Sequence, residues 1–267
     1  MKKTIAMLAA LLVTLTVLPC ACADGIIRAG DLTRPGQAET SWNETHADAY
    51  ADHTGLQIVY FDNLASMLLA LNAGKIDEMY AAEPVAQYLC ARKEELTCVP
   101  GRTTIHMSMA VRAGDEALCG ALNDALAKLQ SEGTMDELYA QYTANTQDDP
   151  VPVVLPKLED AQTLRVVVTG DLPPLDYVSA EGTPAGFNIA FLGALGEALG
   201  MNIELITADA GSRTAMLESD RADAIFWMRT HETVADGVSE PAVSEAGEGV
   251  LLTDAYLSLP LYRVSLK

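Results

Sequence analysis

The chain has 267 residues and a mass of 28.4 kDa, is 49% hydrophobic and carries a formal net charge of −20. So acidic a composition excludes nucleic acid and anionic lipid as partners, because phosphate binding needs a basic face. The length suffices for one two-lobed domain or two small ones.

Residues 1–23 read as a signal peptide, with Lys2 and Lys3 leading, Ile5 to Leu18 as the apolar core and Ala21-Cys22-Ala23 as the cleavage site. A lipid anchor on Cys20 or Cys22 is the alternative. No later apolar run is long enough to span a bilayer. The expected location is therefore extracytoplasmic: secreted, periplasmic or held at the cell surface. Cys90, Cys98 and Cys119 would remain after cleavage. Export permits a Cys90–Cys98 disulfide, and three small buried thiols are the alternative.

Gly25 to Ala29 predicts a short strand ending at Gly30-Asp31-Leu32. The polar stretch 33–52 predicts a helix with a weak apolar face. Leu56 to Tyr60 is a strand, and Leu64, Met67, Leu68 and Leu71 recur at helical spacing before Gly74. Ile76 to Tyr80 predicts a strand, and Glu83-Pro84 opens a helix from Val85 to about Ala91. Met107 to Val111 is a strand. Leu118, Leu122, Leu126 and Leu129 mark one face of a helix that starts at Asp115 and ends at Gly133. Thr134-Met135-Asp136-Glu137 has the pattern of a capping box opening a last helix to Tyr142.

Asn145 to Thr163 holds Pro150, Pro152 and Pro156 and no helical period, which predicts an extended spacer and a boundary. Beyond it, Leu164 to Val168 is an apolar strand, followed by the turn Thr169 to Pro174. Ile189, Leu192, Leu195 and Leu199 form a helix that Gly200 stops. Ile203 to Ile206 is a strand, Ala215 to Leu217 lies on a short helix, and Ala222 to Trp227 is a third strand. Apolar strands separated by helices indicate a parallel sheet covered on both faces. Ligands of such sheets sit beyond the strands' carboxyl ends, here Thr169 to Leu172 and Trp227 to Thr230.

The two halves repeat. Gly30-Asp31-Leu32 returns as Gly170-Asp171-Leu172, and "GLQIVYF" parallels "GMNIELI". The interval from Gly55 to Asp77 is 22 positions and that from Gly200 to Asp223 is 23, each ending in a charged-x-Asp motif. Two lobes of one architecture are expected.

"LRVVVTGDLPPLDYV", "GTPAGFNIAFLGALGEALG" and "ADAIFW" resemble the first lobe of the extracytoplasmic solute-binding proteins, family 3, which serve amino-acid ABC transporters. "VYFDNLASMLLALNAGKID", "EPVAQYL", "HMSMAVRAGDEALCGALNDALAKLQ" and "GTMDELYAQY" resemble that family's second lobe and tail. The resemblance implies a two-lobed α/β fold of the type 2 periplasmic-binding-protein kind, with the lobes in permuted order and a cleft between them. It implies four segments: signal peptide 1–23; 24–145, like the second lobe with its carboxyl-terminal helices; linker 146–163; and 164–267, like the first lobe with a hinge strand. Met107 to Arg112 and Leu261 to Lys267 would cross side by side between lobes.

The resemblance also implies a site. Its ammonium acid falls near Thr169 or Asp171, its stacking aromatic near Leu172, and its carboxylate-binding arginine near Arg229. A further acid falls at Ala82, with Glu83 adjacent, and Asn188 and Ala190 stand where the family has acids. From chemistry alone, Arg229 offers a planar fork that fits a carboxylate, with a pairing to Glu232 as the alternative. Trp227 can stack on a ligand or fill the core. Thr230 ends the same strand. Thr33, Arg34 and Gln37 follow the first strand and either face the cleft or form a solvated loop. Asp31 and Asp171 read as turn residues.

The expected protein is a monomeric solute-binding protein that takes a small polar, amino-acid-like or carboxylate ligand for an ABC transporter permease. A receptor or sensor without transport, or a dehydratase-like enzyme on the same fold, are the rivals. No catalytic motif is present, so no enzyme activity, cofactor or metal is expected; His46 and His53 lack a third ligand.

Overall fold

A computed structural model describes residues 27–32, 56–144, 146, 148, 150–179, 181–234, 239–240 and 249–267. The predicted helix in 33–52 lies outside them, as do Thr33, Arg34, Gln37, His46, His53 and the signal segment. Among the described residues no helix is long and apolar enough to cross a membrane.

The expected mixed α/β, two-lobed architecture is present. Its earlier part comprises β1 (Ile27–Leu32), β2 (Leu56–Phe61), α1 (Leu64–Asn72), β3 (Glu78–Ala82), α2 (Glu83–Arg92) and β4 (Leu96–Arg112). Two helices follow, α3 (Glu116–Ser131) and α4 (Thr134–Thr143). The later part has β5 (Thr163–Val168), the short strands β6 (Asp171–Leu172), β7 (Asp176–Val178) and β8 (Pro184–Ala185), α5 (Phe187–Leu199) and β9 (Asn202–Thr207). After a 3₁₀ turn come α6 (Arg213–Glu218), β10 (Ala224–Val234), β11 (Ser239–Glu240), β12 (Val250–Leu252) and β13 (Leu257–Leu266).

The main sheet runs β2-β1-β3-β13-β4-β10-β5-β9. Its outer trios, β2-β1-β3 and β10-β5-β9, are parallel, and its centre is antiparallel. β4 and β13 therefore join the halves. Leu257 pairs with Met107 and Leu266 with Leu96, so the two strands do lie side by side. The stretch differs from the expected one. Leu261 to Ser265 also pairs with β3, whereas Val111 and Arg112 pair with β10 or β12. β4 is much longer than the predicted Met107–Val111 because β13 pairs along it on one side through Pro100, with a register shift beside Gly101, down to Leu96.

Each parallel trio is tied at its base by the same device. Asp77 accepts hydrogen bonds from the Arg28 backbone N–H and Nε at 2.8 and 3.1 Å. Asp223 accepts from the Arg165 backbone N–H and Nε at 2.9 and 3.0 Å. The charged-x-Asp repeat thus has a physical meaning: its aspartate clamps the first strand of its own half. The repeated Gly-Asp-Leu triplet has none. Asp31 lies three residues after Arg28 and inside β1, opposite Tyr60, while Asp171 lies beyond the end of β5.

Helix α5 is apolar nearly all round, as a helix covered on both sides requires. It packs on β9 and under α3 and α4, with Tyr139 edge-on to Phe187 at 5.3 Å. Phe191 and Tyr256 stack at 5.8 Å behind it, and Tyr256 and Phe226 at 5.0 Å. The capping-box reading of α4 is corrected. Its N-cap is Gly133 at φ 77°, with no side-chain cap bond, and Thr134 is already helical. The proline-rich stretch is extended but pinned: Val153 donates to the Pro184 carbonyl at 2.9 Å, and Asn202 holds Leu158 at 2.8 and 3.0 Å.

Candidate functional site

A cavity lies between the halves, beyond the carboxyl ends of β1 and β5. Asp31, Leu32, Leu64, Met67, Ala82 and Val85 line it from the earlier half, and Leu172, Trp227 and Arg229 from the later half. Its volume of about 40 Å³ accommodates a few water molecules, far less than the ~300–1,000 Å³ of a typical ligand pocket. The halves are closed on one another.

β10 delivers Trp227 and Arg229 by two irregularities. Its pairing with β4 shifts between Ile225 and Met228 and again between Arg229 and His231. The first shift leaves Phe226 and Trp227 opposite one residue, Met109, with Trp227 at φ 72°. A bulky residue in the left-handed region is costly, and such bulges re-aim side chains near sites. Buried Arg213 holds the bulge by donating from Nη1 to the Trp227 carbonyl at 2.8 Å. At the second shift Thr230 Oγ1 donates to the His106 carbonyl at 3.0 Å, so Thr230 serves the hinge ladder and does not line the cavity.

Arg229 makes a two-pronged contact with Asp31. Nη1 donates to Oδ2 and Nη2 to Oδ1, both at 3.2 Å, and the side chains are 9% and 4% exposed. The pair spans the cleft, since Asp31 ends β1 of the earlier half and Arg229 belongs to β10 of the later. Parallel fork geometry is the strong form of this interaction. It corrects the alternative in which Arg229 is an exposed surface residue. It also promotes Asp31, which the sequence offers only as a turn residue. The missed signal is its place three residues after a clamped arginine, which keeps it inside the strand.

The remaining predicted residues divide. Leu172 is buried and lines the cavity. Thr169 does not reach it. Its backbone N–H and hydroxyl donate to fully buried Asp176 at 2.9 and 3.0 Å, joined by the Gly170 N–H at 3.0 Å. Burial pushes the Asp176 carboxyl above its usual range, against these three donors. Asp171 meets the other half: its Oδ2 accepts the Leu64 N–H at 2.7 Å, at the start of α1. Burial, and then the charges of Asp176 and Asp209, push its pKa up to about 6. Glu83 faces β13, accepting from the Tyr262 hydroxyl at 3.0 Å and from Gln87 at 3.0 Å, and is not in the cavity wall. Asn188 is fully buried away from the cleft, and neither of its side-chain amide atoms has a partner.

Residues 164–233 match the family described as bacterial extracellular solute-binding proteins, family 3. A probable histidine-binding protein of Neisseria gonorrhoeae is 36% identical over 92 residues, which is 33% of this chain and 34% of the relative. The match thus spans about a third of that relative's length. Among solved structures, the ligand-binding component of an ABC-type import system of Staphylococcus aureus, with zinc bound, superposes with TM-score 0.43 at 13% identity. That superposition covers 89% of this chain and 65% of the other. An ancestral amino-acid-binding protein, described as a precursor of cyclohexadienyl dehydratase, gives TM-score 0.41 at 14% identity, covering 91% and 82%. Within the matched segment lie the β5 turn, the apolar helix α5 and most of β10, including Arg229.

Proposed function

We propose that this is an extracytoplasmic solute-binding protein that captures an amino-acid-like zwitterion between its halves for an ABC transporter. The observation that carries the reading is the buried Arg229–Asp31 pair in an otherwise mainly apolar cavity beside Trp227. A ligand carboxylate fits the Arg229 fork, and a ligand ammonium fits Asp31. A ligand with one charge takes the place of one member of the pair and costs the other its two-pronged contact, a heavy penalty for a buried charge. A zwitterion replaces both partners at once. The family segment and the histidine-binding relative support amino acids as the ligand class. Capture requires the halves to open about β4 and β13 and close again.

The same reading takes the chain as a permuted, monomeric version of the family, with 24–145 and 164–267 as its lobes and 146–163 as their connection. The position of β13 between β3 and β4 supports this. It also takes residues 1–23 as an export signal and includes no catalytic step.

Titration calorimetry with the L-amino acids, histidine first, tests the ligand. At least one should bind with micromolar Kd or better, and its deamino and decarboxy analogues should lose 100-fold or more. Binding of a deamino analogue as tight as that of its parent refutes the zwitterion, and no binding by any amino acid refutes the ligand class. The internal ion pair favours one further reading, a receptor whose closed form needs no solute; absence of any amino-acid binder would support it.

A further inference from the structure

Among the described residues, further contacts besides the Arg229–Asp31 pair cross the mouth of the cleft. The Asp171 carboxylate accepts the Leu64 N–H at 2.7 Å. The Ala210 N–H donates to the Asp62 carbonyl at 3.0 Å, and Asn63 Nδ2 donates to Asp209 Oδ1 at 3.3 Å. All three meet the turn before α1 or its first residue. Of the three, the Asp171 bond is the shortest and brings a charge to the helix start, where a negative group is favoured. Asn63 already caps the helix by accepting from the Ser66 N–H at 2.9 Å, so Asp171 serves a donor that Asn63 leaves open.

Closing therefore moves out of water a carboxylate that already stands among acids of its own half. Asp176 is one strand away, since Leu172 pairs with Asp176 in the small sheet. Asp209 approaches from the loop before α6, and Asp62 stands beside Asn63 on the opposite half. Arg213 acts on Asp176 rather than on Asp171. Arg229 is engaged by Asp31. Asp176 and Asp209 both disfavour a negative charge at Asp171.

The geometry points to Asp171 as the closure residue of the cleft, a clasp on α1 whose fastening takes up a proton. Asp171 is a positioning residue: it holds α1, and with it Leu64 and Met67, over the ligand. The inference rests on the proposed ligand-binding cleft, but its test needs no ligand.

The sign follows from the two states. Shut, Asp171 has a pKa of about 6; open to water, it loses the burial that raises it most, so its pKa falls. The shut form binds more protons than the open one below pH 6, so acidification favours closure. From pH 7.5 to pH 5 the closing equilibrium shifts by up to about tenfold.

The experiment uses the full chain without added solute. Small-angle scattering reports opening through the radius of gyration, and exchange of the Leu64 amide, corrected for intrinsic rate, reports the clasp. Wild type should close further and gain Leu64 protection as pH falls from 7.5 to 5, with the change setting in near pH 6. Asp171→Asn keeps an oxygen acceptor without a charge and should show no such onset. Asp209→Asn removes one neighbouring charge and should move the onset to lower pH. A flat wild-type profile, or an unchanged onset in Asp171→Asn, overturns the proposal. If closure follows pH but no amino acid binds, the clasp stands and the ligand reading falls; if an amino acid binds while closure ignores pH, the reverse holds.

Discussion

Truncating Asp31 to alanine removes the two 3.2 Å bonds that it accepts from Arg229 beside a mainly apolar cavity. Removing one partner of a buried pair costs about 3–5 kcal/mol when the other stays buried. Here it need not stay buried, because the pair spans the cleft and opening returns Arg229 to water. The stability lost by Asp31→Ala is therefore capped by the free energy of closing. The variant should lose about 1–3 kcal/mol against urea and scatter as a more open particle. The paired replacement Asp31→Leu with Arg229→Met removes both charges and leaves apolar groups beside Leu32, Leu64 and Leu172. Such replacements are often neutral or stabilising. A double-mutant cycle from urea midpoints should give a coupling of about 1.5 kcal/mol or more. Additive losses, with a coupling under about 0.5 kcal/mol, would refute the reasoning and make the pair incidental.

The strand clamps should matter unequally. Asp223 also meets Arg112 Nη2, at 3.5 Å, so Asp223→Ala should cost about 2 kcal/mol and exceed Asp77→Ala in denaturant unfolding. Hydrogen bonding to Arg28 holds the Asp77 carboxyl below its usual range; burial raises that of Asp223, but Arg165 and Arg112 bring it below. A depressed folded pKa gives stability that is present above the unfolded value and lost as pH falls below it. Thermal melts should therefore drop as pH falls below about 4, less steeply in the Asp223→Ala variant. Gly186→Ala should cost at least about 2 kcal/mol, because φ is 98° and a Cβ there runs into the Pro174 and Leu175 carbonyls; a melting shift under one degree would contradict this. Cys90 and Cys98 are free, and burial and the neighbouring Cys98 push the Cys90 thiol to about 12. Iodoacetamide at pH 8 should label Cys90 far more slowly than a model thiol, and rapid labelling would contradict its placement.

What was legible in the sequence was periodic. The parallel strands, α1, α3 and α5 follow from apolar spacing, and the Gly-to-Asp interval marks two halves clamped alike by Asp77 and Asp223. What was not legible depended on partners far along the chain. β10 continues through Met228-Arg229-Thr230 because β4 is there to pair with it, and no local pattern announces its bulges. Arg229 was legible as a lone cation after an apolar strand. Its partner was not, for Asp31 lies 198 residues away. Thr169 and Glu83 are polar residues near the right strand ends that are spent on structure, on Asp176 and on Tyr262. Position alone does not separate such residues from those that meet a ligand.

The internal pair also sets a ceiling on affinity. Asp31 reaches Arg229 only in the closed form, and it does so with a geometry much like that of a ligand carboxylate. On the proposed ligand reading, every solute must therefore displace a group tethered to the same chain, which competes at a high effective concentration. A zwitterion regains both contacts, so its net gain comes from what Asp31 cannot supply: apolar area against Leu172 and Trp227. Selectivity should then follow the solute's side chain more than its charges. The charges serve as an entry condition, while ligands that satisfy it differ by about 25 cal/mol for each Å² of apolar surface they bury. Across an aliphatic amino-acid series, affinity should rise with side-chain size until the cleft no longer closes, and Trp227→Ala should flatten that rise while Arg229→Ala abolishes binding throughout. A series in which size has no effect would place the side chain in solvent and the binding energy in the charged pair alone.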